Sequence, residues 1–365
     1  MVRTVAWPYV TSPVGIGVVG CGVIGTQHVR VACELPCVSP RAVLDLARDR
    51  AEALAAAYGV PRVCADLEEM LALSEVEAVV MAVPAAFRMP MSRQVLAAGC
   101  HLLLEKPVAM NAGEVRRLAS WRGPDQVVAC CAARFRCLGS FAPVYEVLAA
   151  GKLGTPRGAV FRALTPAPPR PEILPPAWRL QSRLNGGGVL MNWGCYDLDY
   201  LLGMWPEPLV PRTVSARMWG LGPDYRDFVV PDSDGETHVT AWIECEDGFR
   251  ISYERGEYHP GPRRAEFQVF GDRGSLDLTM VPNQDHVDTL WRSDDAAGCV
   301  SETVQCHPDR AADLHSGVVE DFCRAVRSGS EPAAGLEFSF RVQATLDAMY
   351  RSAQAGCPVE VEPSL

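Results

Sequence analysis

The sequence predicts an α/β protein. Its N-terminal part would form a doubly wound parallel sheet, and its C-terminal part an α+β domain with an open, mostly antiparallel sheet. Two observations predict this. Up to about residue 135, near-continuous apolar strands alternate with helical segments, which is typical of a parallel sheet covered on both faces. Beyond that point, strand-like segments alternate apolar and polar residues, as in a sheet with one exposed face.

The first strand, turn and helix carry a glycine pattern typical of dinucleotide binding. Residues 15–25 read GIGVVGCGVIG, with a GxGxxG pattern directly after an apolar strand. The first glycine permits a tight turn, the second lets the backbone approach a pyrophosphate, and the third lets the helix pack on the strand. We therefore expect a Rossmann domain with the phosphates at a helix N-terminus. The cofactor-binding turn would comprise Gly20, Cys21, Gly22, Val23, Ile24 and Gly25.

An acidic residue follows the next strand where a ribose contact is expected. Asp45 ends the strand RAVLD, twenty residues after Gly25. A carboxylate there would bind the adenosine ribose hydroxyls and repel a 2'-phosphate. NAD is therefore favoured over NADP as the cofactor, although the nearby Arg48 keeps NADP open. The plainer alternative is a glycine-rich turn followed by an ordinary N-cap aspartate.

The fifth apolar strand, CHLLL from Cys100, runs into Glu105, Lys106 and Pro107. In open α/β sheets, ligands bind beyond the carboxyl ends of the strands, which places Pro84 and the Glu105–Lys106 pair at the nucleotide crevice. We expect Lys106 to orient a substrate hydroxyl and Glu105 to hold the lysine in place. An exposed ion pair before a proline turn is the alternative.

A second polar group follows the glycine run at residues 186–188. Asn192, Tyr196 and Asp199 lie at spacings of four and three, which puts them on one face of a predicted helix. Tyr196 can exchange a proton with a substrate hydroxyl when a cation such as Lys106 is near. A tyrosine that packs in an amphipathic helix is the alternative reading.

Composition excludes several classes of function. The net charge of −10 and the absence of basic stretches interleaved with aromatics argue against nucleic acid as a partner. No run approaches the roughly 18 apolar residues of a membrane helix, and the first residues lack a signal-peptide pattern, so we expect a cytoplasmic protein. The fourteen scattered cysteines indicate free thiols, and no metal site is predicted.

Together these motifs resemble those of the Gfo/Idh/MocA oxidoreductases. The resemblance rests on GCGVIG, EKP, the pair Trp178–Arg179 and the block GGGVLMNWGCYDLDYLLG, and it extends over essentially the whole chain. It implies a Rossmann domain at residues 1–135, of which 1–14 are an extension, and a substrate-binding and oligomerisation domain at 136–365. The last helix would pack back toward the Rossmann domain. The resemblance also implies that this chain forms a homodimer or homotetramer through the C-terminal sheet.

The resemblance also implies roles for individual residues. Lys106 matches the lysine of the family's EKP motif, and Tyr196 stands at the position of the family's acid/base residue. Pro84 would flank the nicotinamide, Glu105 and Lys106 its ribose, while Trp178 and Arg179 would reach the cofactor from the second domain. Substrate binding falls to Lys106, Asn192, Tyr196 and Asp199.

Three positions depart from the family's common pattern. Many members have Asp where this chain has Asn192 and His where it has Tyr196, and Ala132 stands where relatives commonly have Asn. Because Asn192 cannot ionise, it is left to bind substrate or ribose through hydrogen bonds. Tyrosine also occurs in the family at the second position, so the acid/base role survives the change.

The expected function is hydride transfer between nicotinamide C4 and a secondary hydroxyl or ketone of a sugar or cyclitol. The block MNWGCYDLDYLLG resembles sugar dehydrogenases of aminoglycoside pathways such as that of gentamicin, which indicates an amino-sugar substrate. Acidic residues between 224 and 236 and between 285 and 295 would suit such a cation, although solvated turns are the commoner explanation. Two alternatives stay open: a ketoreductase of a nucleotide-linked deoxysugar and a non-catalytic dinucleotide-binding regulator. Substrate contacts by His259, His307 or His315 also stay open.

Overall fold

The protein is described by a computed structural model that covers residues 12–280, 287–294, 296–304 and 311–365. By their internal packing these residues form two compact units. The first unit holds the described residues up to Cys137 together with Ala311–Phe340 and Leu365. The second holds those between Leu138 and Arg310 together with Arg341–Ser364. The segment Ala311–Phe340 therefore packs with the first unit although it follows most of the second in sequence.

The elements of both units are numbered in chain order. The strands are β1 (Val14–Val19), β2 (Val38–Leu44), β3 (Arg62–Val63), β4 (Ala78–Met81), β5 (His101–Leu104), β6 (Val128–Cys130), β7 (Pro156–Pro166), β8 (Pro211–Trp219), β9 (His238–Cys245), β10 (Arg250–His259), β11 (Arg264–Gly271), β12 (Gly274–Asp277), β13 (Asp288–Asp294), β14 (Gly298–Val304) and β15 (Val359–Glu360). The helices are α1 (Val23–Glu34), α2 (Arg48–Tyr58), α3 (Leu67–Leu71), α4 (Arg88–Ala97), α5 (Ala112–Trp121), α6 (Phe141–Ala149), α7 (Ser182–Asn185), α8 (Cys195–Gly203), α9 (Ala311–Ser328) and α10 (Leu336–Ala355).

The first unit is built on a six-stranded sheet in the order β3-β2-β1-β4-β5-β6, in which all strands run parallel. Every residue of β1 and β4 is buried, as expected for strands that are covered on both faces. The strand order reverses between β1 and β4, which opens a crevice at their carboxyl ends. The predicted doubly wound parallel sheet is confirmed.

The second unit is built on a nine-stranded sheet in the order β14-β13-β12-β11-β7-β10-β9-β8-β15. It is mostly antiparallel, as predicted, but β7 and β10 run parallel, with Ala159 opposite Ile251. The expectation of antiparallel pairing is therefore wrong for this pair. A parallel pair needs a long connection, and α7, α8, β8 and β9 provide it between these two strands.

One face of this second sheet is buried and the other is exposed. Along β9, Val239, Ala241 and Ile243 are buried while Trp242 between them is 47% exposed. This alternation follows from the two-residue period of a strand. The exposed face also carries large apolar side chains on other strands, namely Trp219, Phe270 and Trp291.

Two global properties complete the description. Within the described part of the chain, no helix has both the length and the apolar character that crossing a membrane requires. The cysteines of the described residues are free thiols, and most of them are buried.

Candidate functional site

The glycine turn after β1 has the shape that its sequence predicts. Gly20 has a φ of +95°, and a Cβ there would lie 2.7 Å from the carbonyl oxygen of Ala82. A Cβ on Gly25 would lie 1.7 Å from the Gly20 carbonyl oxygen, so α1 packs directly on the turn. A Cβ on Gly22 would meet no atom within 4 Å. The middle glycine therefore faces open space beside the start of α1.

Helix α1 begins at Val23, whose side chain is 87% exposed, while Ile24 is half-buried. Its first backbone N–H groups have no helical partner, and the helix dipole adds partial positive charge at this end. Burial, followed by the charge of Asp45, raises the pKa of the Cys21 thiol to about 11, so this thiol stays protonated at neutral pH. The open space at Gly22 and the helix N-terminus together fit a pyrophosphate.

Asp45 follows β2 and reaches across to the glycine turn. Its Oδ2 accepts a hydrogen bond from the backbone N–H of Cys21 at 2.7 Å, and its Oδ1 accepts one from Ala47 at 2.8 Å. A carboxylate has about four lone-pair sites, so both oxygens can still accept ribose hydroxyls. The next residue, Leu46, is fully exposed and apolar. Arg48 forms an ion pair with Glu52 at 2.7 Å.

The segment after β5 contains the predicted Glu105–Lys106 pair. Glu105 is buried; its Oε1 accepts a hydrogen bond from His28 Nε2 at 2.9 Å, and its Oε2 accepts the backbone N–H of Lys106 at 3.1 Å. Burial opposes ionisation of Glu105. The hydrogen bond from His28 and the nearby charge of Lys106 outweigh burial and hold the pKa of this carboxyl well below its usual range. Glu105 is therefore a buried carboxylate that fixes the lysine's main chain.

Lys106 itself is half-buried, and its peptide bond to Pro107 is cis. Pro84 follows β4 at the same edge of the sheet and precedes a short 3₁₀ turn, Ala85–Phe87. The glycine turn, Asp45, Pro84 and Glu105–Lys106 thus all follow the carboxyl ends of neighbouring parallel strands of the first unit.

Sequence reasoning missed two residues of this edge, His28 and Arg88. His28 lies three residues after Gly25 in α1, and its distance to Glu105 could not be inferred from a chain separation of 77 residues. Arg88 begins α4 and is 4% exposed, with its guanidinium directed at backbone carbonyls after β4 and β5. The only available signal was an arginine within an otherwise apolar stretch of sequence, AAFRMPM, after Pro84.

His28, Glu105 and Cys131 form a buried group whose potential ligand atoms lie within 4.8 Å of one another. The His28 Nε2–Glu105 Oε1 distance of 2.9 Å is that of a direct hydrogen bond, and Cys131 Sγ lies 3.9 Å from His28 Nε2. Burial raises the pKa of the Cys131 thiol well above its usual value. The arrangement is a hydrogen-bonded cluster that supports Glu105.

In the second unit, the glycine run at residues 186–188 is explained by close packing. A Cβ on Gly187 would lie 1.9 Å from the Tyr350 hydroxyl, and one on Gly188 would lie 2.0 Å from the Glu236 carbonyl oxygen. The buried Glu236 carboxylate accepts hydrogen bonds from the N–H groups of Gly188 and Leu190, at 2.8 Å each, and from the Tyr350 hydroxyl at 2.9 Å. Glu236 therefore satisfies the first N–H groups of the helical segment that follows.

That segment is not one regular α-helix. Residues Leu190–Gly194 form a wider π-helical turn, and α8 begins only at Cys195. The prediction that Asn192, Tyr196 and Asp199 share one face assumed an α-helical period throughout, and the wider turn changes the angle between Asn192 and Tyr196. All three side chains are buried. Single π turns in helices occur frequently at functional sites.

Asp197 anchors α8 to the second sheet. Its carboxylate accepts two hydrogen bonds from Arg255, at 2.5 and 2.9 Å, and one from the Tyr253 hydroxyl at 2.8 Å. Asp197 is completely buried, and two-pronged pairing of this kind fixes orientation as well as distance. The neighbouring Tyr196 is thereby held on a rigid helix.

The predicted residue Arg179 lies near this helix, in the short turn Ala177–Arg179 that also contains the half-buried Trp178. Arg179 donates to the carboxylate of Glu257 at 2.9 Å, and the same carboxylate accepts the indole N–H of Trp193 at 2.8 Å. The rings of Trp193 and Tyr196 have centroids 6.1 Å apart. Glu257 and Trp193 were not predicted, and they link Arg179 to the segment that carries Tyr196.

A cavity of about 440 Å³ lies elsewhere in the second unit. It is lined by Gly220, Leu221, Arg226, Val229, Val230, Pro231, Asp232, Ser233, Asp234 and Gly235. Asp232 and Asp234 belong to the acidic stretch that the sequence offers for a cationic substrate. Asp234 caps α7 through the N–H and hydroxyl of Ser182, at 2.7 and 2.6 Å. Part of the acidic stretch at 224–236 is therefore engaged in holding the fold.

The three histidines that the sequence left open have different surroundings. His315 in α9 accepts a hydrogen bond from Arg134 at 3.3 Å, and burial, followed by the Arg134 charge, lowers its pKa to about 4. His259 ends β10, and its ring centroid lies 6.1 Å from that of His238. His307 lies outside the described residues. His315 is therefore neutral at neutral pH.

Comparison with known proteins agrees with this architecture. The model of the oxidoreductase family with an NAD-binding Rossmann fold, GFO_IDH_MocA, matches residues 14–123, and the model of the GFO/IDH/MocA C-terminal domain matches residues 141–277.

Among curated proteins, the D-xylose 1-dehydrogenase (NADP(+)) 2 of Haloferax volcanii is 26% identical, over 93% of this chain and 99% of its own. The 1,5-anhydro-D-fructose reductase of Ensifer adhaerens is 24% identical, over 96% and 99%. Among solved structures, GenD2 from gentamicin A biosynthesis in complex with NAD is 26% identical, with a TM-score of 0.77 over 97% and 98% of the two chains. The chain therefore belongs to the Gfo/Idh/MocA family and is an NAD(P)-dependent oxidoreductase.

Proposed function

We propose that the protein oxidises a secondary hydroxyl of an amino sugar with NAD, as a step of aminoglycoside-type antibiotic biosynthesis. The observation that carries the redox part is the carboxyl edge of the first sheet. There the open glycine turn, Asp45 and the Glu105–Lys106 pair follow neighbouring strands. The amino-sugar part rests on similarity to GenD2 over nearly the whole chain and on the net charge of −10, which attracts cationic ligands.

The chain's own residues would act on the substrate as follows. Bound NAD supplies the hydride acceptor at nicotinamide C4. Lys106 stabilises the oxyanion that develops on the substrate oxygen, and Tyr196 moves the hydroxyl proton. Asn192 and Asp199 hold other substrate groups through hydrogen bonds. Pro84, Trp178 and Arg179 flank the cofactor.

The preference for NAD over NADP follows from the residues at the end of β2. The Asp45 carboxylate would repel a 2'-phosphate. Leu46, the next residue, is fully exposed and offers no hydrogen-bond donor to a phosphate. The guanidinium of Arg48 is engaged with Glu52 on the surface of α2.

Three of the five arginines that could bind a sugar diphosphate, Arg170, Arg179, Arg183, Arg263 and Arg264, are engaged within the chain. Arg170 pairs with Asp227 at 3.2 Å, and Arg179 pairs with Glu257 at 2.9 Å. Arg183 donates to the side chain of its neighbour Gln181 at 2.8 Å. These pairings reduce the number of arginines open to a nucleotide diphosphate, while Arg263 and Arg264 are exposed at the start of β11.

A spectrophotometric assay tests the proposal. Purified protein is given NAD or NADP separately with aminoglycoside intermediates, neutral sugars and inositols, and NADH formation is followed by absorbance. We expect NADH with a cationic amino sugar. Oxidation of NADH by a nucleotide-linked ketosugar, without activity on any alcohol, would instead make the protein a ketoreductase. No change in NADH absorbance with any substrate would contradict the proposed reaction.

Two substitutions with matched controls test the residue roles. Lys106→Met and Tyr196→Phe should each lower kcat by at least about 100-fold while NAD still binds, because each removes a group that acts on the reacting hydroxyl. The control Lys152→Met removes an exposed lysine that is paired with Glu302. The control Tyr200→Phe changes a buried tyrosine of α8, the helix that also carries Tyr196. Both controls should retain turnover. Near-normal kcat in both test variants would refute the assignment.

We also propose that the chain assembles as a homodimer or homotetramer through the exposed face of the second sheet. This face carries Trp219, Trp242, Phe270 and Trp291, and exposed apolar side chains of this size favour association. Light scattering after size-exclusion chromatography should give a multiple of the 39.6 kDa chain mass. Trp242→Glu should shift the mass toward one chain, and an unchanged mass would place the interface elsewhere.

A further inference from the structure

We propose that Arg88 is a positioning residue for Lys106. Its guanidinium fixes the backbone of residues 105–107 and thereby the place from which the lysine side chain projects. The inference rests on the proposed function for the chemical role of Lys106. It assigns to Arg88 no contact with substrate or cofactor.

The guanidinium of Arg88 donates hydrogen bonds to the carbonyl groups of three consecutive residues. Its NH1 donates to the carbonyl oxygens of Glu105 and Pro107, and its NH2 donates to that of Lys106 at 3.3 Å. Its Nε donates to the carbonyl oxygen of Val83 at 2.8 Å, which ties the same group to the segment after β4. Arg88 therefore joins the ends of two neighbouring strands.

The backbone N–H and C=O groups of Lys106 are thus both fixed by hydrogen bonds. Its carbonyl oxygen accepts from Arg88, and its N–H donates to the carboxylate of Glu105, which His28 fixes in turn. Both supports are buried, since Arg88 is 4% and Glu105 5% exposed. The lysine side chain is half-buried and extends from a main chain that these contacts restrain.

Only arginine has the geometry for this task. The guanidinium is planar and presents five N–H donors in a rigid fork, whereas an ammonium is a compact charge on a flexible stem. Arg88→Lys would keep a buried cation but could not reach all these carbonyls at once. Displacing a catalytic group by about 1 Å can cost about 100-fold in rate, because near-attack geometry is lost.

The first test compares kinetics in Arg88→Lys and Arg88→Gln with a control, Arg93→Gln. Arg93 lies on the same helix, with its guanidinium over the Trp121 ring at 5.8 Å. We expect kcat to fall about 10- to 100-fold in both Arg88 variants. The Kd for NAD should change less than kcat does, because the residues at the pyrophosphate and the adenosine ribose, Gly22 and Asp45, are untouched. The control should keep kcat within about 2-fold, which is the scatter expected of a surface change.

A purely structural role gives a different result. It would lower the midpoint of thermal unfolding in the Arg88 variants while the folded enzyme kept its kcat, and that outcome would overturn the proposal. Arg88→Lys retains a buried cation and serves as the test variant if Arg88→Gln does not fold.

The second test needs no turnover, because the sequence contains only two lysines, Lys106 and Lys152. Reductive methylation with ¹³C-formaldehyde labels these two amines and the N-terminal amine, so the carbon spectrum is simple to assign with Lys106→Met and Lys152→Met. In Arg88→Gln we expect the Lys106 resonance to move toward that of an unrestrained lysine, while that of Lys152 stays in place. An unmoved Lys106 resonance would overturn the proposal.

The two tests separate failure of this inference from failure of the proposed function. If the wild-type protein turns over no sugar, the proposed function fails, and the Lys106 resonance still decides whether Arg88 positions the lysine. If the wild type is active and Arg88→Lys leaves both kcat and the resonances unchanged, only the role of Arg88 is refuted.

Discussion

Two glycines of the same turn should respond to alanine in opposite ways. At Gly22 a Cβ meets no atom within 4 Å, and the backbone φ of −75° is ordinary for alanine. Alanine restricts the unfolded chain but is a poorer N-cap than glycine. These effects oppose each other and leave the free energy of unfolding within about 1 kcal/mol of the wild type. The methyl group would occupy the space where the backbone must approach the pyrophosphate.

Gly22→Ala should therefore weaken NAD binding at least about 10-fold, which corresponds to about 1.4 kcal/mol, without loss of stability. Gly25→Ala should destabilise the fold, because its Cβ would lie 1.7 Å from the Gly20 carbonyl oxygen. Calorimetric titration with NAD and thermal unfolding without it measure the two effects separately. If Gly22→Ala bound NAD with wild-type affinity, the proposed position of the pyrophosphate would be refuted. If both substitutions destabilised the fold equally, the conclusion that Gly22 faces open space while Gly25 packs on the turn would be refuted.

Three further substitutions test other parts of the structure. Asp45→Asn removes the charge that repels a 2'-phosphate. In steady-state assays, the ratio of kcat/KM with NAD to kcat/KM with NADP should therefore fall at least about 10-fold. An unchanged ratio would contradict this role of Asp45. Gly188→Ala should lower the free energy of unfolding, measured in urea, by about 3 kcal/mol, because the alanine Cβ would lie 2.0 Å from the carbonyl oxygen of Glu236. A loss below about 1 kcal/mol would show that the backbone around residue 188 moves to make room for the methyl group. His315 has a folded-state pKa of about 4 against a usual 6.5, so the unfolded chain binds the extra proton and stability falls as the pH drops through that window. Between pH 7 and pH 4 the free energy of unfolding of His315→Gln should therefore fall by about 3 kcal/mol less than that of the wild type. Parallel curves of unfolding free energy against pH would refute the assignment.

The parts of the first unit that the sequence predicts are those encoded by local pattern. A buried parallel strand needs a continuous apolar run, and each glycine of GxGxxG meets a steric requirement. The strand β1, the turn after it and α1 can therefore be predicted from the sequence alone. Asp45 and Glu105 follow strands that are equally plain. Since parallel strands end at one edge, their neighbourhood follows from strand order alone.

The residues that sequence reasoning missed act over long chain separations. His28 and Glu105 are 77 residues apart, and Glu257 and Trp193 are 64 apart, so no local period relates them. The parallel pairing of β7 with β10 likewise depends on which strands meet, which the alternation of polar and apolar residues does not encode. Strand β14 was not predicted because most of it is exposed and it lacks a clear apolar face.

The use of lysine itself supports the proposed role of Lys106. Of the 34 lysines and arginines in the chain, only Lys106 and Lys152 are lysines, and Lys152 is an exposed partner of Glu302. Arginine occupies positions of this fold that need several N–H donors in a fixed plane, namely the buried Arg88 and the partly buried Arg255. With the exception of Lys152, positions that require only positive charge are met by arginine in this chain. A half-buried lysine beside such an arginine indicates that the site needs an amine, which is a compact charge that can approach one oxygen and can gain or lose a proton.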